Sequence, residues 1–270
     1  MFSKKVSVLA TLAVIALIAN VSFGGWLWWT NDMGNQQWTD TGNWTAYPTS
    51  GDDVVVGMET SNGPILGVGQ TGYANWMHLA DSTTTGSKVT VAGGTLNVSD
   101  HLFVSQWGQK GTLEVNSGVV NTTLLMVGGC NNDGSGYANS DGIVLMNGGT
   151  INISWLLAVG GGYSGAGTLG SAHIQLDAGT INVTGGGGLV MSAQNDVTMD
   201  ITGGALKLNG QITDITTYGN VTAYGGTGSF VYTYEGEGEA IRTTITAFVP
   251  EPVTLALIGL GSLFLRRKKA

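Results

Sequence analysis

The sequence predicts an all-β chain whose body is a single-stranded parallel β-helix, a solenoid of short strands behind a Trp-rich N-terminal cap. A signal helix is expected before it and a short apolar helix after it. Three observations lead to this class. Glycine fills 45 of 270 positions and charged residues only 10 %, yet 42 % of the chain is hydrophobic. That composition folds, and it favours short strands joined by tight turns. Apolar and polar residues alternate at period two on both sides of certain glycines, and this pattern recurs along the middle of the chain.

Residues 1–24 read as a secretory signal peptide: Lys4 and Lys5, an apolar stretch from Val6 to Ala19, then small residues Ser22 and Gly24 before a cleavage point. Residues 25–75 form the cap and first strands. They hold Trp26, Trp28, Trp29, Trp38 and Trp44, with Trp76 next. Bulky aromatics are suited to plug the open end of a coil stack.

Residues 76–208 carry the repeat. KVTVAGGTLNV (88–98), GTLEVNSGVVNT (111–122), IVLMNGGTINI (143–153), HIQLDAGTINV (173–183) and VTMDITGGALKL (197–208) align on Gly94, Gly118, Gly149, Gly179 and Gly204. Two residues beyond that glycine stand Leu96, Val120, Ile151, Ile181 and Leu206, and three before it Val91, Val115, Met146, Leu176 and Ile201. Each unit is therefore a strand, a glycine turn and a strand with one buried face. A further apolar patch follows in LFVS (102–105), LLMV (124–127), WLLAV (155–159) and GLVMS (188–192). Short strands stacked coil on coil give a β-helix. A β-sandwich is the alternative, and a propeller fits the unit length less well.

Residues 209–248 alternate again and read as a terminal coil or hairpin cap. Residues 249–270 are an apolar run, Val253 to Leu265, ending in four cations.

The charge bounds the partners. The chain carries −8 overall, but Lys88, Lys110, Lys207 and Arg242 are the only basic residues between 25 and 249, against seventeen acids, so that body is 4 − 17 = −13. This excludes nucleic acid, which requires phosphate neutralisation. The lone Cys130 cannot form an internal disulfide and reads as a small residue beside a buried strand.

Two stretches resemble known families. Trp38, Asn43, Trp44, Pro48, Asp52 and Asp53 resemble an opening segment of secreted bacterial β-helix proteins, which implies a surface architecture and no activity. Val249, Pro250, Glu251 and Pro252, followed by the apolar run and Arg266, Arg267, Lys268 and Lys269, resemble the PEP-CTERM sorting signal. The same tail is also called an ice-binding C-terminal domain, although it has no feature that could bind ice. The resemblance implies export, transient anchoring of a transmembrane helix in the inner membrane, an exosortase-like processing enzyme as partner, and association with extracellular polysaccharide at the cell surface or in the matrix.

Site chemistry is sparse. Asp52 and Asp53 are adjacent, so a strand points them to opposite faces. His78, His101 and His173 lack metal-ligand spacing and read as surface or corner residues. Asn131, Asp133 and Ser135 match early positions of a calcium loop, but Gly142 stands where its bidentate acid belongs. Trp38, Trp44 and Trp76 are candidates for stacking on sugar, with capping the favoured role. Asn97, Asn121, Asn152 and Asn182 fall in one column and are expected to hydrogen-bond along the coil axis. No cofactor is implied. The reading is a non-enzymatic structural or adhesive protein. Carbohydrate binding is the alternative, a degenerate polysaccharide lyase or hydrolase comes third, and ice binding is not favoured.

Overall fold

The computed structural model describes residues 25–57, 63–79, 86–106, 109–129, 140–161, 170–193 and 196–249. In chain order the strands are β1 (Trp26–Trp28), β2 (Asp53–Val56), β3 (Ile65–Gly67), β4 (Thr71–Ala74), β5 (Met77–Leu79), β6 (Ser87–Val98), β7 (His101–Val104), β8 (Lys110–Val127), β9 (Ser140–Val159), β10 (Gly170–Val183), β11 (Gly188–Met191), β12 (Val197–Ile201), β13 (Ala205–Asn209), β14 (Asn220–Ala223), β15 (Ser229–Glu235) and β16 (Arg242–Phe248).

Pairing sorts them into three ladders. The first runs β3, β6, β8, β9, β10, β12, β14, using the N-terminal parts of the long strands. The second runs β4, β6, β8, β9, β10, β13, then β16 and β15. The third runs β1, β2, β5, β7, the C-terminal parts of β8 and β9, and β11. All pairs are parallel except β13 with β16 and β16 with β15. The chain thus returns to each ladder one strand further along.

The alternation in the sequence becomes vertical files of buried side chains. Leu96 pairs with Val120, Val120 with Ile151, Ile151 with Ile181 and Ile181 with Leu206, and all five are 0 % exposed. Val91, Val115, Met146, Leu176 and Ile201 form a second file, and Met77, Leu102, Leu125, Leu157 and Leu189 a third. These files belong to one contiguous core. Thr122, paired with Ile153, is a polar residue among these apolar positions, 4 % exposed. Its hydroxyl reaches the Asp100 and Leu124 carbonyls at 3.1 and 2.9 Å, which offsets the cost of burying it.

Glycines make the bends between the first and second ladders. Gly118, Gly149 and Gly179 have φ of 89°, 70° and 80°, a region open to glycine at little steric cost. They also touch one another. A Cβ on Gly149 would lie 2.6 Å from the Gly118 carbonyl oxygen, and one on Gly179 would lie 2.4 Å from that of Gly149. In the first repeat the left-handed residue is Gly93 rather than the aligned Gly94.

The N-terminal end is closed by Trp29 and Trp38, both 0 % exposed, and Trp44 at 5 %. Trp44 meets Trp29 and Trp38 edge-on at ring separations of 4.8 and 4.7 Å, the favoured aromatic geometry. Its indole N–H donates to the Trp38 carbonyl at 2.8 Å. Buried Asn43 ties the surrounding loop: its amide donates to Asn35 Oδ1 and the Gln37 carbonyl and accepts from the Met33 N–H. Gly72 leaves room for the plug, since a Cβ there would stand 2.6 Å from the Trp38 ring.

The fold is all-β and largely parallel, and its final strands, within the 209–248 segment read as a terminal coil or hairpin, are antiparallel, because the chain reverses after β15 and lays β16 between β13 and β15. The expected helices are corrected. Among the described residues there is no α-helix. The helical pieces are 3-10 turns at Thr41–Asn43, Ile215–Tyr218, Tyr224–Gly226 and Gly238–Ala240. The signal helix and the C-terminal apolar helix have no counterpart among the described residues, and the residues that carry those expectations, 1–24 and 250–270, lie outside them. No described helix is long and apolar enough to cross a membrane, a task that takes about 20 apolar residues. The transmembrane helix, and the route to the cell surface through transient inner-membrane anchoring, are corrected with it.

Candidate functional site

The outward side of the second ladder is the longest regular surface of the molecule. One column reads Thr71, Thr95, Val119, Thr150, Thr180, Ala205, Thr246 and Val231. The next reads Tyr73, Asn97, Asn121, Asn152, Asn182, Lys207, Thr244 and Thr233. The four asparagines form a continuous amide ladder. Asn121 donates to Asn97 at 2.8 Å, Asn152 to Asn121 at 2.9 Å and Asn182 to Asn152 at 3.0 Å. Arg242 ends it by donating to Asn182 Oδ1 at 2.6 Å. Parallel pairing in register creates this arrangement, because it sets identical side chains one strand spacing apart, about 4.8 Å. Each interior amide spends one N–H and one lone pair on its neighbours and keeps one of each for solvent. Tyr73, 41 % exposed, stands at the head of the asparagine column. Tyr47 is 37 % exposed, and its phenol is pushed above the usual tyrosine range by burial and then by the neighbouring Tyr73.

The charges collect on the first ladder instead. Lys88 pairs with Glu114, and Lys110 with Asp141 at 3.3 Å. The hydrogen bond from Lys88 holds the Glu114 carboxyl below its ordinary value against the opposing effect of burial. Asp52 is likewise lowered: burial works to raise it, but hydrogen bonds from the Thr49 hydroxyl and N–H and the Gly25 N–H prevail. Asp53 turns the other way and accepts from Asn75 and the Trp76 N–H.

The third ladder carries an outward aromatic file. His78 stacks between Trp26 and Phe103 at ring separations of 5.1 and 5.0 Å, and His101 stacks on Phe103 at 5.5 Å. The sequence reads His78 as a surface or corner residue, whereas it is 1 % exposed within β5 and its Nδ1 pairs with Gln106 Oε1 at 2.5 Å. Burial lowers its pKa. Phe103, Leu124, Met126, Leu156 and Ala158 make a second apolar cluster there. Four-residue runs such as LLMV foretell it, because a strand apolar at every position is buried on both faces.

The sequence-derived site residues do not converge. Trp38 and Trp44 are core plug residues and cannot stack on a ligand. Trp76 is half-buried, donates its indole N–H to Asp100 Oδ2 at 2.9 Å and packs on His101. Val249 is exposed, while Pro250, Glu251, Pro252 and Arg266 to Lys269 lie outside the described residues, as do Asn131, Asp133, Ser135 and Cys130. Among the described residues no group of three or more His, Cys, Asp or Glu could hold a metal ion. A hollow of 160 Å³ lined by Gln211, Asp214 and Tyr218 is smaller than the roughly 300 Å³ from which small-molecule sites begin. The exposed aromatics outside the sequence-derived candidates include Tyr47, Tyr73 and Trp155, the last 41 % exposed. For Tyr73 the sequence held no signal, since it precedes the first aligned repeat and joins the asparagine column only through the pairing of β4 with β6.

Set against protein-family models, curated proteins and solved structures, the chain matches none of them.

Proposed function

We propose that the chain is a non-enzymatic structural or adhesive protein of an extracellular matrix. The observation that supports this reading is the amide ladder on a face of few charges: coils tied to one another by a continuous series of side-chain hydrogen bonds are suited to bear load and resist opening. An exosortase-like enzyme acting near Pro252 is part of the same proposal. The test compares matrix made with and without the protein. Loss of the protein should lower matrix stiffness, and adding back the purified chain should restore it without releasing oligosaccharide from the matrix polymer. Oligosaccharide release would overturn the reading in favour of a polysaccharide-active enzyme.

Tyr47 and Tyr73 favour carbohydrate binding as the second reading. Two half-exposed phenol rings lead into columns of threonine and asparagine, and aromatic faces with amide donors and acceptors suit a neutral sugar chain. Glycan-array binding that is lost in Tyr73→Ala and kept in Tyr73→Trp would support it. Binding unchanged in Tyr73→Ala would place the sugar elsewhere.

A further inference from the structure

β15 is the last strand of the second ladder. It pairs with β16 along Ser229 to Glu235, and its other edge meets no strand among the described residues. None of its residues is buried. Val231, Tyr234, Phe248 and Val249, on or directly after this hairpin, are 40, 45, 44 and 48 % exposed. Soluble proteins blunt such edges with Lys, Pro, a bulge or an inward charge. From Ser229 to Tyr234 there is no charge and no proline, and the register with β16 runs without a shift.

The strand is also complementary to itself. An antiparallel strand can pair with its own copy about a two-fold axis. With the axis at Tyr232, Ser229 faces Glu235 of the second copy, Phe230 faces Tyr234, Val231 faces Thr233 and Tyr232 faces itself. All seven positions pair. The strand's single charged residue meets a serine rather than its own kind. Phe230 and Tyr232 already pack towards the core, with rings 6.3 Å apart, so this register gathers the aromatics of both copies on one side, where cross-strand aromatic pairs stabilise a sheet. A slip of one residue sets the aromatic side against Val231 and Thr233, and a slip of two leaves the ends unpaired.

We propose that β15 is a self-pairing edge through which two copies of this chain join antiparallel, centred on Tyr232, into one continuous sheet. The inference does not depend on the role proposed above. The charge pattern provides the test, because Val231 and Thr233 face each other twice across the axis. In Val231→Lys/Thr233→Lys, lysines oppose lysines. In Val231→Lys/Thr233→Glu, each lysine opposes a glutamate of the other copy. Sedimentation velocity on the full chain at low salt should show a dimer for the native sequence. The Lys/Lys pair should weaken it by at least about tenfold, and the Lys/Glu pair should keep it. Thr233 and Val231 are exposed, and circular dichroism checks that both variants remain folded. A native chain that stays monomeric at high micromolar concentration overturns the proposal. So does a dimer that survives Lys/Lys, which places the contact elsewhere, and so does loss of the dimer in both variants, which rejects the register.

Discussion

Replacing Gly149 with alanine tests the coil stack at one of its close glycine-on-glycine contacts. Two costs add. The residue has φ 70°, where a non-glycine residue loses roughly 1–2 kcal/mol. Its new Cβ would also sit 2.6 Å from the Gly118 carbonyl oxygen, 2.9 Å from the Ser117 carbonyl carbon and 3.0 Å from the Gly118 nitrogen. Those atoms are backbone within β8, which is pinned between β6 and β9, so relief requires strain of about 1–3 kcal/mol. Loss of chain freedom in the unfolded state returns about 0.4–1 kcal/mol. Gly69→Ala is the control: φ is 74° and nothing lies within 4 Å of the added carbon. It shares the conformational cost and the unfolded-state gain but lacks the contact. The difference between the two variants therefore isolates the close approach, at about 1–3 kcal/mol. Denaturant unfolding followed by circular dichroism and tryptophan fluorescence measures both, with coincident curves showing that the stack unfolds as one unit. Equal destabilisation by the two substitutions would refute the stacking of glycine on glycine.

Other outcomes follow from the same structure. Asn152→Ala breaks two amide bonds, 2.9 and 3.0 Å long, and should cost about 1–3 kcal/mol; Asn147→Ala, at an exposed side chain with one such bond to Asn116, should cost less in the same unfolding assay. Trp38→Ala empties the plug and should cost about 3–5 kcal/mol, with hydrogen exchange rising first in β4 and β6. His78 is buried with a lowered pKa, because burial disfavours its charged form. Its contribution is whole above the unfolded value of about 6.5 and is lost as pH falls from there through the lowered folded value. Thermal midpoints of the native chain should therefore drop between pH 7.5 and 5.5, and His78→Phe should flatten that drop; parallel pH curves would rule His78 out. Glu114 acts further down: its lowered carboxyl contributes stability that disappears as pH falls below the ordinary glutamate range, and Glu114→Gln should remove that part of the acid unfolding.

Some of this was legible residue by residue. Leu96, Val120, Ile151 and Ile181 share one column of the repeat because strand alternation has period two, and a repeat that keeps its phase puts the same position on the same face each time. The asparagine ladder is the polar half of that rule. His78 was misjudged because a histidine next to apolar residues in a short strand looks the same whether its outer face is covered or open. Trp38 and Trp44 offered both roles until their exposure was known. Tyr73 lies before the first aligned repeat, so its place in the asparagine column emerged only from the pairing of β4 with β6.

The order of side chains along the chain determined the class of structure: all-β, coils stacked in register, an anionic body, and turns that only glycine can make at close approach. These are local facts, set by backbone sterics and by which face each residue presents. Tertiary structure decided which tryptophans vanish into the end of the stack, which face carries few charges, and that β15, at the end of the second ladder, meets no further strand among the described residues. Those outcomes depend on which segments meet across tens of residues, and no local pattern encodes such a meeting.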